Sequence, residues 1–233
     1  MGIFDSQYRE GKMLALLPEH KKKVAKACAD IEEMLELCQS PYVSLSWGKQ
    51  SICLMHMVYT LSRSVPGLFF REPETHLIAD FDNVILQFRS KWNIIYFDVM
   101  LNKPSHQESA DEWEKENNKD GVFLGFARHE SKSRRFTLSK ADENNIFTYK
   151  NGFRRSCPLR FWSDMDIAAY AAHYEIPMLS LYHKFGFGVR TSAGIEMGTA
   201  EKPDHSEIGF DNMTGEQKYQ ILESQRRRKH EQA

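Results

Sequence analysis

Residues 42–51, YVSLSWGKQS, join three features that together predict an α/β fold. A β-branched apolar run predicts a strand, Ser46 to Ser51 form a tight polar loop, and an apolar helical pattern begins directly after it. A helix N-terminus has unpaired N–H groups and a partial positive charge. With Ser46, Gly48, Lys49 and Ser51 beside it, such a terminus fits a pyrophosphate. A plain turn is the alternative, since neither G-x-x-x-x-G-K-[ST] nor G-x-G-x-x-G is present.

The bulk composition is that of a globular protein. The chain has 233 residues, 41% of them hydrophobic, and a formal net charge of −1, which argues against wholesale coating of nucleic acid. No apolar run approaches the roughly 20 residues of a membrane span, and the N-terminus lacks an apolar signal core. We therefore predict a cytoplasmic protein with no membrane partner. The cysteines are Cys28, Cys38, Cys53 and Cys157, without a C-x-x-C pair.

The order of patterns along the chain predicts alternating strands and helices. Helical spacing covers residues 20–38, the segment after Ser51 and residues 74–92, while 93–99 and 121–127 are apolar strands. Residues 101–120 are polar and acidic, which predicts a surface insertion. Asn151-Gly152 predicts a two-residue hairpin. These elements predict a doubly wound, mostly parallel five-stranded sheet with helices on both faces.

The ends of the chain complete the predicted organisation. Ser163 is the expected N-cap of a helix whose first turn contains Asp164 and Asp166. Residues 185–215 are glycine-rich and predict a loop, and a last helix over about 214–230 ends in the basic run RRRKH. The predicted domains are an N-terminal helical segment (1–40), a nucleotide-binding α/β domain (41–184), and a glycine-rich loop with a basic C-terminal helix (185–233).

Three further stretches carry a family resemblance over about residues 40–190. LFFREPETHLIADF (68–81) has a Pro-Glu-Thr element after a strand, and GFARHESKSRR (125–135) resembles a G-x-R-x-x-E-S-x-x-R-R segment. CPLRFWSDMDIAAY (157–170) resembles P-L-x-x-W-x-x-x-D-[IV]-x-x-Y. With the loop, these stretches resemble the PP-loop ATP pyrophosphatases, a PAPS reductase-like family with an adenine nucleotide alpha-hydrolase-like fold. The chain is most similar to the Ssp-type ATP pyrophosphatases of DNA phosphorothioation.

The resemblance implies that ATP is cleaved between its α- and β-phosphates, with Mg²⁺ bridging phosphate oxygens. It implies an adenylylated substrate for sulfur transfer, here the DNA backbone, with a cysteine desulfurase and other modification-system proteins as partners. The implied catalytic residues are Lys49, Arg128, Glu130, Arg134 and Arg135. The implied ATP-binding residues are Ser44, Ser46, Trp47, Gly48, Lys49, Gln50, Ser51, Phe70 and Arg71.

Two loop residues depart from the family pattern S-G-G-x-D-S. Trp47 stands where a glycine is expected, and its ring either stacks on a base or packs in the core. Gln50 replaces an aspartate that helps hold Mg²⁺, and Glu72, Glu74 or Asp98 is the candidate replacement. No protein residue is assigned as a metal ligand.

Two alternative functions remain open at this point. One is a PAPS reductase-like or sulfate-adenylylating enzyme, which the lack of any cysteine after Cys157 disfavours. The other is a catalytically degenerate nucleotide-binding module. Cys157 itself is either a sulfur carrier or a packed thiol. Among the histidines, His56 is expected to pack, His173 to act as a helix-end cation, and His129 is the candidate for catalysis. The basic run RRRKH either favours a helix end or binds a nucleic-acid backbone.

Overall fold

A computed structural model of the chain describes residues 3–71, 80–101, 106–139, 141 and 143–189. Within these residues the helices are α1 (Ile3–Leu14), α2 (Pro18–Leu37), α3 (Lys49–Leu61), α4 (Phe81–Lys91), α5 (His106–Glu116), α6 (Lys132–Leu138), α7 (Asp164–Tyr174) and α8 (Ser180–Phe185). The strands are β1 (Pro41–Leu45), β2 (Gly67–Arg71), β3 (Tyr96–Met100), β4 (Gly121–Leu124), β5 (Ile146–Thr148) and β6 (Arg154–Ser156).

The strands form one sheet in the order β3-β2-β1-β4-β6-β5. β1 pairs in parallel with β2 and β4, and the parallel part extends to β3 and β6. The predicted doubly wound, mostly parallel sheet is therefore confirmed, with six strands rather than five. A hairpin at the predicted place sets β5 antiparallel to β6. Its loop has three residues, 150–152, rather than the predicted two, since the Tyr149 N–H donates to the Phe153 carbonyl.

The sheet is covered on both faces, as the alternation along β1 requires. Val43 and Leu45 point into the larger core, which includes residues of α2, α3, α4 and α7. Tyr42 points to the opposite face, where Leu68, Phe70 and Val122 form a smaller core with Trp113 of α5. The predicted helices on both faces are confirmed.

Helix α5 lies in residues 101–120, for which the polar composition predicts a surface insertion and no helix. Most residues of α5 are polar, but two of its side chains contact the sheet. The Trp113 ring lies edge-on to the Tyr42 ring at 5.2 Å, and buried Glu114 accepts a hydrogen bond of 2.8 Å from the Tyr42 hydroxyl. One aromatic side chain and one paired acid thus anchor this helix to the sheet.

The predicted N-cap of α7 is confirmed. The Ser163 hydroxyl accepts from the Asp166 N–H, and Asp166 accepts from the Ser163 N–H at 2.8 Å, which is a capping box. Asp166 also receives the Lys23 ammonium at 2.6 Å, so it ties α7 to α2. Trp162 and Tyr170 of the same sequence motif are buried, with ring centroids 5.7 Å apart. This motif therefore stabilises the fold.

Other boundaries shift by a few residues. The helix predicted over 74–92 is described from Phe81 to Lys91, and residues 72–79 lie outside the described part. The strand expected over 93–99 begins at Tyr96. The short helices α6 and α8 were not predicted. Among the described residues, no helix combines the length and the apolar character needed to cross a membrane.

Candidate nucleotide site

The 46–51 loop lies at the position where the winding of the sheet reverses. β2 lies on one side of β1 and β4 on the other, and the chain passes from β1 directly into α3. Ligands in such sheets bind beyond the carboxyl ends of the strands at this switch point. The predicted strand, loop and helix N-terminus are therefore placed where a nucleotide site is expected.

Gly125, the residue after β4, packs directly against the loop backbone. A Cβ atom at this position would lie 2.8 Å from the Ser51 nitrogen and 3.0 Å from the Gln50 carbonyl carbon. Real Cβ atoms do not approach backbone so closely, so only glycine fits. The first residue of the GFARHESKSRR motif thus brings β4 and the segment after it against the N-terminus of α3.

Hydrogen bonds between serines close the loop. The Ser51 hydroxyl donates to the Gly48 carbonyl at 3.1 Å and accepts from the Ser46 N–H at 3.1 Å. The two hydroxyl oxygens of Ser46 and Ser51 are 3.2 Å apart. Ser46 is exposed while Ser51 is buried, so Ser46 offers the more accessible hydroxyl to a ligand.

The Trp47 side chain packs in the core. It is 1% exposed, its ring lies edge-on to those of Phe88 and Tyr96, and its Nε1–H donates to the Tyr96 hydroxyl at 3.3 Å. The backbone at Trp47 has φ 54°, in the left-handed region that glycine favours. Of the two alternatives for the ring, core packing fits this structure and stacking on a base does not.

Lys49 is held by protein oxygens. Its side chain is 4% exposed, and Nζ forms an ion pair with Asp164 Oδ1 at 2.8 Å. Nζ also donates to the carbonyl oxygens of Phe187 and Val189, the second at 3.1 Å. The Lys49 backbone N–H donates to the Tyr182 hydroxyl at 3.1 Å. A phosphate contact, as predicted for Lys49, therefore requires these side-chain contacts to break.

Asp164 joins Lys49 to His129. The same Oδ1 atom that pairs with Lys49 lies 3.2 Å from His129 Nε2. Burial by itself raises the pKa of Asp164, but the hydrogen bond from His129 and the charge of Lys49 outweigh it and lower that pKa. The hydrogen bond to Asp164 in turn raises the pKa of His129, against a smaller opposing effect of burial. The sequence showed Asp164 only as a helix-start acid, since nothing in its spacing indicates these contacts.

The segment 125–135 positions its charges through Glu130. The Glu130 carboxylate accepts from the Ala127 N–H at 2.9 Å and pairs with Arg134. The Arg134 guanidinium lies 3.9 Å from the centre of the Phe126 ring, and the Ser131 hydroxyl caps α6 by accepting from the Arg134 N–H. Glu130 and Arg134, both predicted as catalytic, thus bind each other and order this turn.

The other arginines of this region differ in accessibility. Arg135 is exposed. Arg128 and Arg160 both lie over the Phe161 ring, at 5.4 and 4.7 Å from its centre, and Phe161 is 59% exposed. The Arg128 N–H donates to the Arg160 carbonyl at 3.0 Å, which joins the two segments. Arg160 is buried, and its Nη1 donates to Asn145 Oδ1 at 3.2 Å, so the cations that this region presents to solvent are Arg135 and, in part, Arg128, beside the exposed Phe161 ring.

Four other predicted ATP-binding residues differ in accessibility. Ser44 is half-buried within β1, and Gln50 is buried in the first turn of α3. Phe70 is buried in the smaller core. Arg71 donates to Asp98 through Nε at 3.1 Å and through Nη2 at 2.7 Å, and it pairs with Asp82 at 2.8 Å.

The resemblance implies a Mg²⁺ ion, but the described carboxylates near the loop are already paired with cationic side chains. Asp98, a candidate to replace the motif aspartate, is held by Arg71, and Asp164 is held by Lys49 and His129. Glu72 and Glu74, the other candidates, lie outside the described residues. Within the part of the chain that the structure describes, no group of three or more His, Cys, Asp or Glu could hold a metal ion.

The cysteine and the other two histidines considered as candidates lie away from the loop cations or in the core. Cys157 is 1% exposed, and burial raises its pKa to about 12, which keeps the thiol protonated and favours the packed-thiol interpretation. His56 is buried with Nδ1 2.9 Å from the Tyr170 hydroxyl, and burial lowers its pKa to about 4, in agreement with a packing role. His173 is exposed in the last turn of α7. The predicted last helix and RRRKH lie outside the described residues.

Comparison with known proteins supports the fold. No protein-family model matches the chain, and no curated protein matches it. FMN adenylyltransferase of Candida glabrata is similar in structure, with a TM-score of 0.58 at 12% identity over 78% of this chain and 68% of that one. Its complex with ATP has a TM-score of 0.57 at 14% identity, with the same coverage.

Two further structures are similar to the chain at comparable identity. Yeast FAD synthetase in complex with FAD has a TM-score of 0.53 at 13% identity, over 76% of this chain and 69% of that one. PAPS reductase of Candida auris is less similar, with a TM-score of 0.49 at 13% identity over 74% of this chain and 87% of that one. At such identities the matches show a shared α/β fold and nothing finer.

Proposed function

We propose that this protein is an ATP pyrophosphatase that activates a substrate by adenylylation. The observation that carries the proposal is the close packing of Gly125 on Gln50 and Ser51 at the switch point of the sheet. It brings the α3 N-terminus and an arginine-rich segment together at the edge where α/β sheets bind nucleotides. A shared fold with FMN adenylyltransferase, crystallised with ATP, supports it.

In this proposal the loop binds the β- and γ-phosphates of ATP. The first N–H groups of α3 and the Ser46 hydroxyl donate to phosphate oxygens, and Lys49 adds its charge once its contacts with protein oxygens give way. An acceptor oxygen attacks the α-phosphorus, the bond to the β-phosphate oxygen breaks, and pyrophosphate leaves. Arg128 and Arg135 neutralise the charge of the phosphates, and Glu130 orients Arg134. A bound Mg²⁺ ion would add to this neutralisation of phosphate charge.

For the acceptor, we propose the DNA backbone, with sulfur supplied by a cysteine desulfurase. The sequence resemblance supports this assignment. A structural feature also agrees with it, since exposed Phe161 beside partly exposed Arg128 combines a stacking ring with a phosphate-binding charge. Adenylylation would turn an oxygen of the phosphodiester into a good leaving group. The terminal sulfur of the desulfurase persulfide would then attack the phosphorus, AMP would leave, and a thiol reductant would cleave the remaining S–S bond.

The test is to incubate the protein with Mg-ATP and measure AMP and pyrophosphate, with and without DNA and the desulfurase. We expect one pyrophosphate for each ATP consumed, and an equal amount of free AMP when DNA and the desulfurase are both present to complete the displacement. Ser46→Ala should reduce the rate because it removes the exposed loop hydroxyl, whereas Ser64→Ala, an exposed serine on another loop, should not. Absence of pyrophosphate under all these conditions would refute the proposal.

One specific observation favours a second candidate, a nucleotide-binding module without turnover. Lys49 is occupied by Asp164 and two carbonyl oxygens, so the described conformation lacks a free loop cation. Calorimetry that shows tight ATP binding, with no AMP formed in the presence of any partner, would favour this module over the enzyme. The PAPS reductase-like alternative is weakened, since buried and protonated Cys157 is a poor nucleophile.

A further inference from the structure

We propose that residues 186–189, here named the latch, inhibit nucleotide binding by occupying Lys49. The carbonyl oxygens of Phe187 and Val189 accept from the Lys49 ammonium, in the place where phosphate oxygens would accept. The nucleotide must displace the latch to reach this cation. The inference rests on the proposed function, because it takes Lys49 as a phosphate-binding residue.

The Lys49 ammonium has no donor left for a ligand in this conformation. An ammonium has three N–H donors, and the three acceptors here are Asp164 Oδ1 and the carbonyls of Phe187 and Val189. The side chain is also 4% exposed. The Asp164 carboxylate carries a negative charge that balances the Lys49 ammonium. The two carbonyl oxygens are neutral acceptors, and both belong to the latch.

The latch is held by contacts that lie apart from Lys49. Helix α8 is followed by its C-cap Gly186, whose φ of 76° turns the chain and whose N–H donates to the Tyr182 carbonyl at 2.8 Å. The Phe187 ring is fully buried and stacks on Phe4 and Tyr182, with centroids 5.4 and 6.0 Å away. The Phe187 N–H donates to Gln7 Oε1 at 2.7 Å. Helix α1 thus fixes the latch through Phe4 and Gln7.

The physical consequence is a competition between neutral and charged acceptors. Phosphate oxygens carry full negative charge and bind a buried ammonium more strongly than carbonyls do. ATP therefore displaces the latch, but its apparent affinity is reduced by the fraction of molecules in which the latch is open. Weakening the anchors of the latch should raise that fraction and tighten ATP binding.

The experiment measures the dissociation constant of Mg-ATP by calorimetry in full-length variants. Gln7→Ala removes one anchoring hydrogen bond, and we expect about two- to tenfold tighter binding, the range that one hydrogen bond corresponds to. Glu10→Ala, an exposed change on the same helix, is the matched control and should leave the dissociation constant unchanged. Phe187→Ala is a second variant, accepted only if its thermal unfolding shows a folded protein.

The Lys49→Ala variant, alone and combined with Gln7→Ala, tests the latch separately from the phosphate-binding role of Lys49. Tighter binding in Gln7→Ala that disappears in the double variant supports the latch. If Lys49→Ala weakens binding while Gln7→Ala and Phe187→Ala change nothing, the latch is refuted and the phosphate role of Lys49 stands. If Lys49→Ala leaves the affinity unchanged, both the latch and that role are refuted. If no variant, nor the unmodified protein, binds ATP, the proposed function itself fails.

Hydrogen exchange gives a readout that does not depend on turnover. The Phe187 amide is protected by Gln7, so Mg-ATP should raise exchange in a peptide covering residues 186–189. The buried strand β1 should exchange equally slowly with and without ATP. Unchanged or increased protection of the latch on ATP binding would contradict its displacement.

Discussion

The 46–51 loop and the 125–135 segment contain cations that the sequence alone treats as equivalent, yet the structure uses them differently. In the loop, Lys49 and Trp47 point into the protein, where a carboxylate, carbonyls and aromatic rings surround them. In the segment, Arg135 is exposed and Arg128 lies over an exposed ring. Availability for a ligand is thus set by burial and partners rather than by residue type.

The largest effect is expected from breaking the inward packing of the loop at Trp47. Trp47→Ala should lower the free energy of unfolding by about 3–5 kcal/mol, since it empties a buried site. Trp47→Gly should cost about 1 kcal/mol less than alanine, because glycine has no penalty at φ 54°. Urea unfolding measures both. Phe161→Ala, at a side chain 59% exposed, is the aromatic control and should change stability little.

If the Trp47→Gly variant were less stable than the Trp47→Ala variant, the result would contradict the positive φ at Trp47. A small effect of both substitutions would show that its ring does not pack in the core.

The next largest effect tests the contact that joins the two regions. Gly125→Ala places a Cβ against the backbone of Gln50 and Ser51, which cannot move aside as a side chain tip does. We expect a loss of about 1–3 kcal/mol in stability, as for other overpacked sites, together with weaker ATP binding. Thermal unfolding and calorimetry measure these quantities.

Gly188→Ala is the matched control for stability, because nothing lies within 4 Å of a Cβ there. Equal stability of the Gly125→Ala and Gly188→Ala variants would show that the loop and β4 are not in close contact.

A smaller effect concerns the charge link between the regions, Lys49–Asp164–His129. Asp164→Asn removes the carboxylate that raises the pKa of His129, so this pKa should fall. A raised folded-state pKa stabilises the protein fully below the unfolded pKa of histidine, and this contribution is lost as pH rises through the folded-state value. Asp164→Asn should remove that part of the pH dependence.

NMR titration of the His129 ring protons measures the change. Asp82→Asn, which removes a carboxylate beside Arg71 instead, is the control. An unchanged pKa of His129 in Asp164→Asn would mean that the two side chains do not interact in solution.

The smallest effect on stability is expected in the 125–135 segment, at exposed Arg135. Because the side chain is exposed, Arg135→Gln should leave the free energy of unfolding within about 0.5 kcal/mol of the original. If the Arg135 side chain contacts DNA phosphates, the Arg135→Gln variant should bind DNA of any sequence more weakly. The slope of the logarithm of the binding constant against the logarithm of the salt concentration should fall in magnitude by about 1. Fluorescence anisotropy at several salt concentrations measures both.

Arg134→Gln provides the contrast, since Arg134 is paired with Glu130 and stacked on Phe126. It should reduce stability more than Arg135→Gln does. Equal stability losses would contradict the distinction between a structural and an available arginine.

Part of the architecture was predictable because it depends on local patterns. Apolar runs of five residues and one helix-period stripe are enough to place β1, α3 and α7, and Ser163 with Asp166 marks a helix start by spacing alone. Helix α5 was missed because few of its residues are apolar and its anchoring depends on Tyr42, far away in the sequence. Short α6 and α8 have too few turns for a periodic signal.

The sequence by itself determined the order of the elements, the hairpin at Asn151-Gly152, and the position of a polar loop between the first strand and its helix. Only the tertiary structure decided what the loop side chains touch. Lys49 meets the carbonyl of Phe187, 138 residues away along the chain, and Trp47 meets Tyr96 on another strand. Local propensities act over a few residues, whereas these partners are brought together by the packing of α1, α7 and α8 around the end of the sheet.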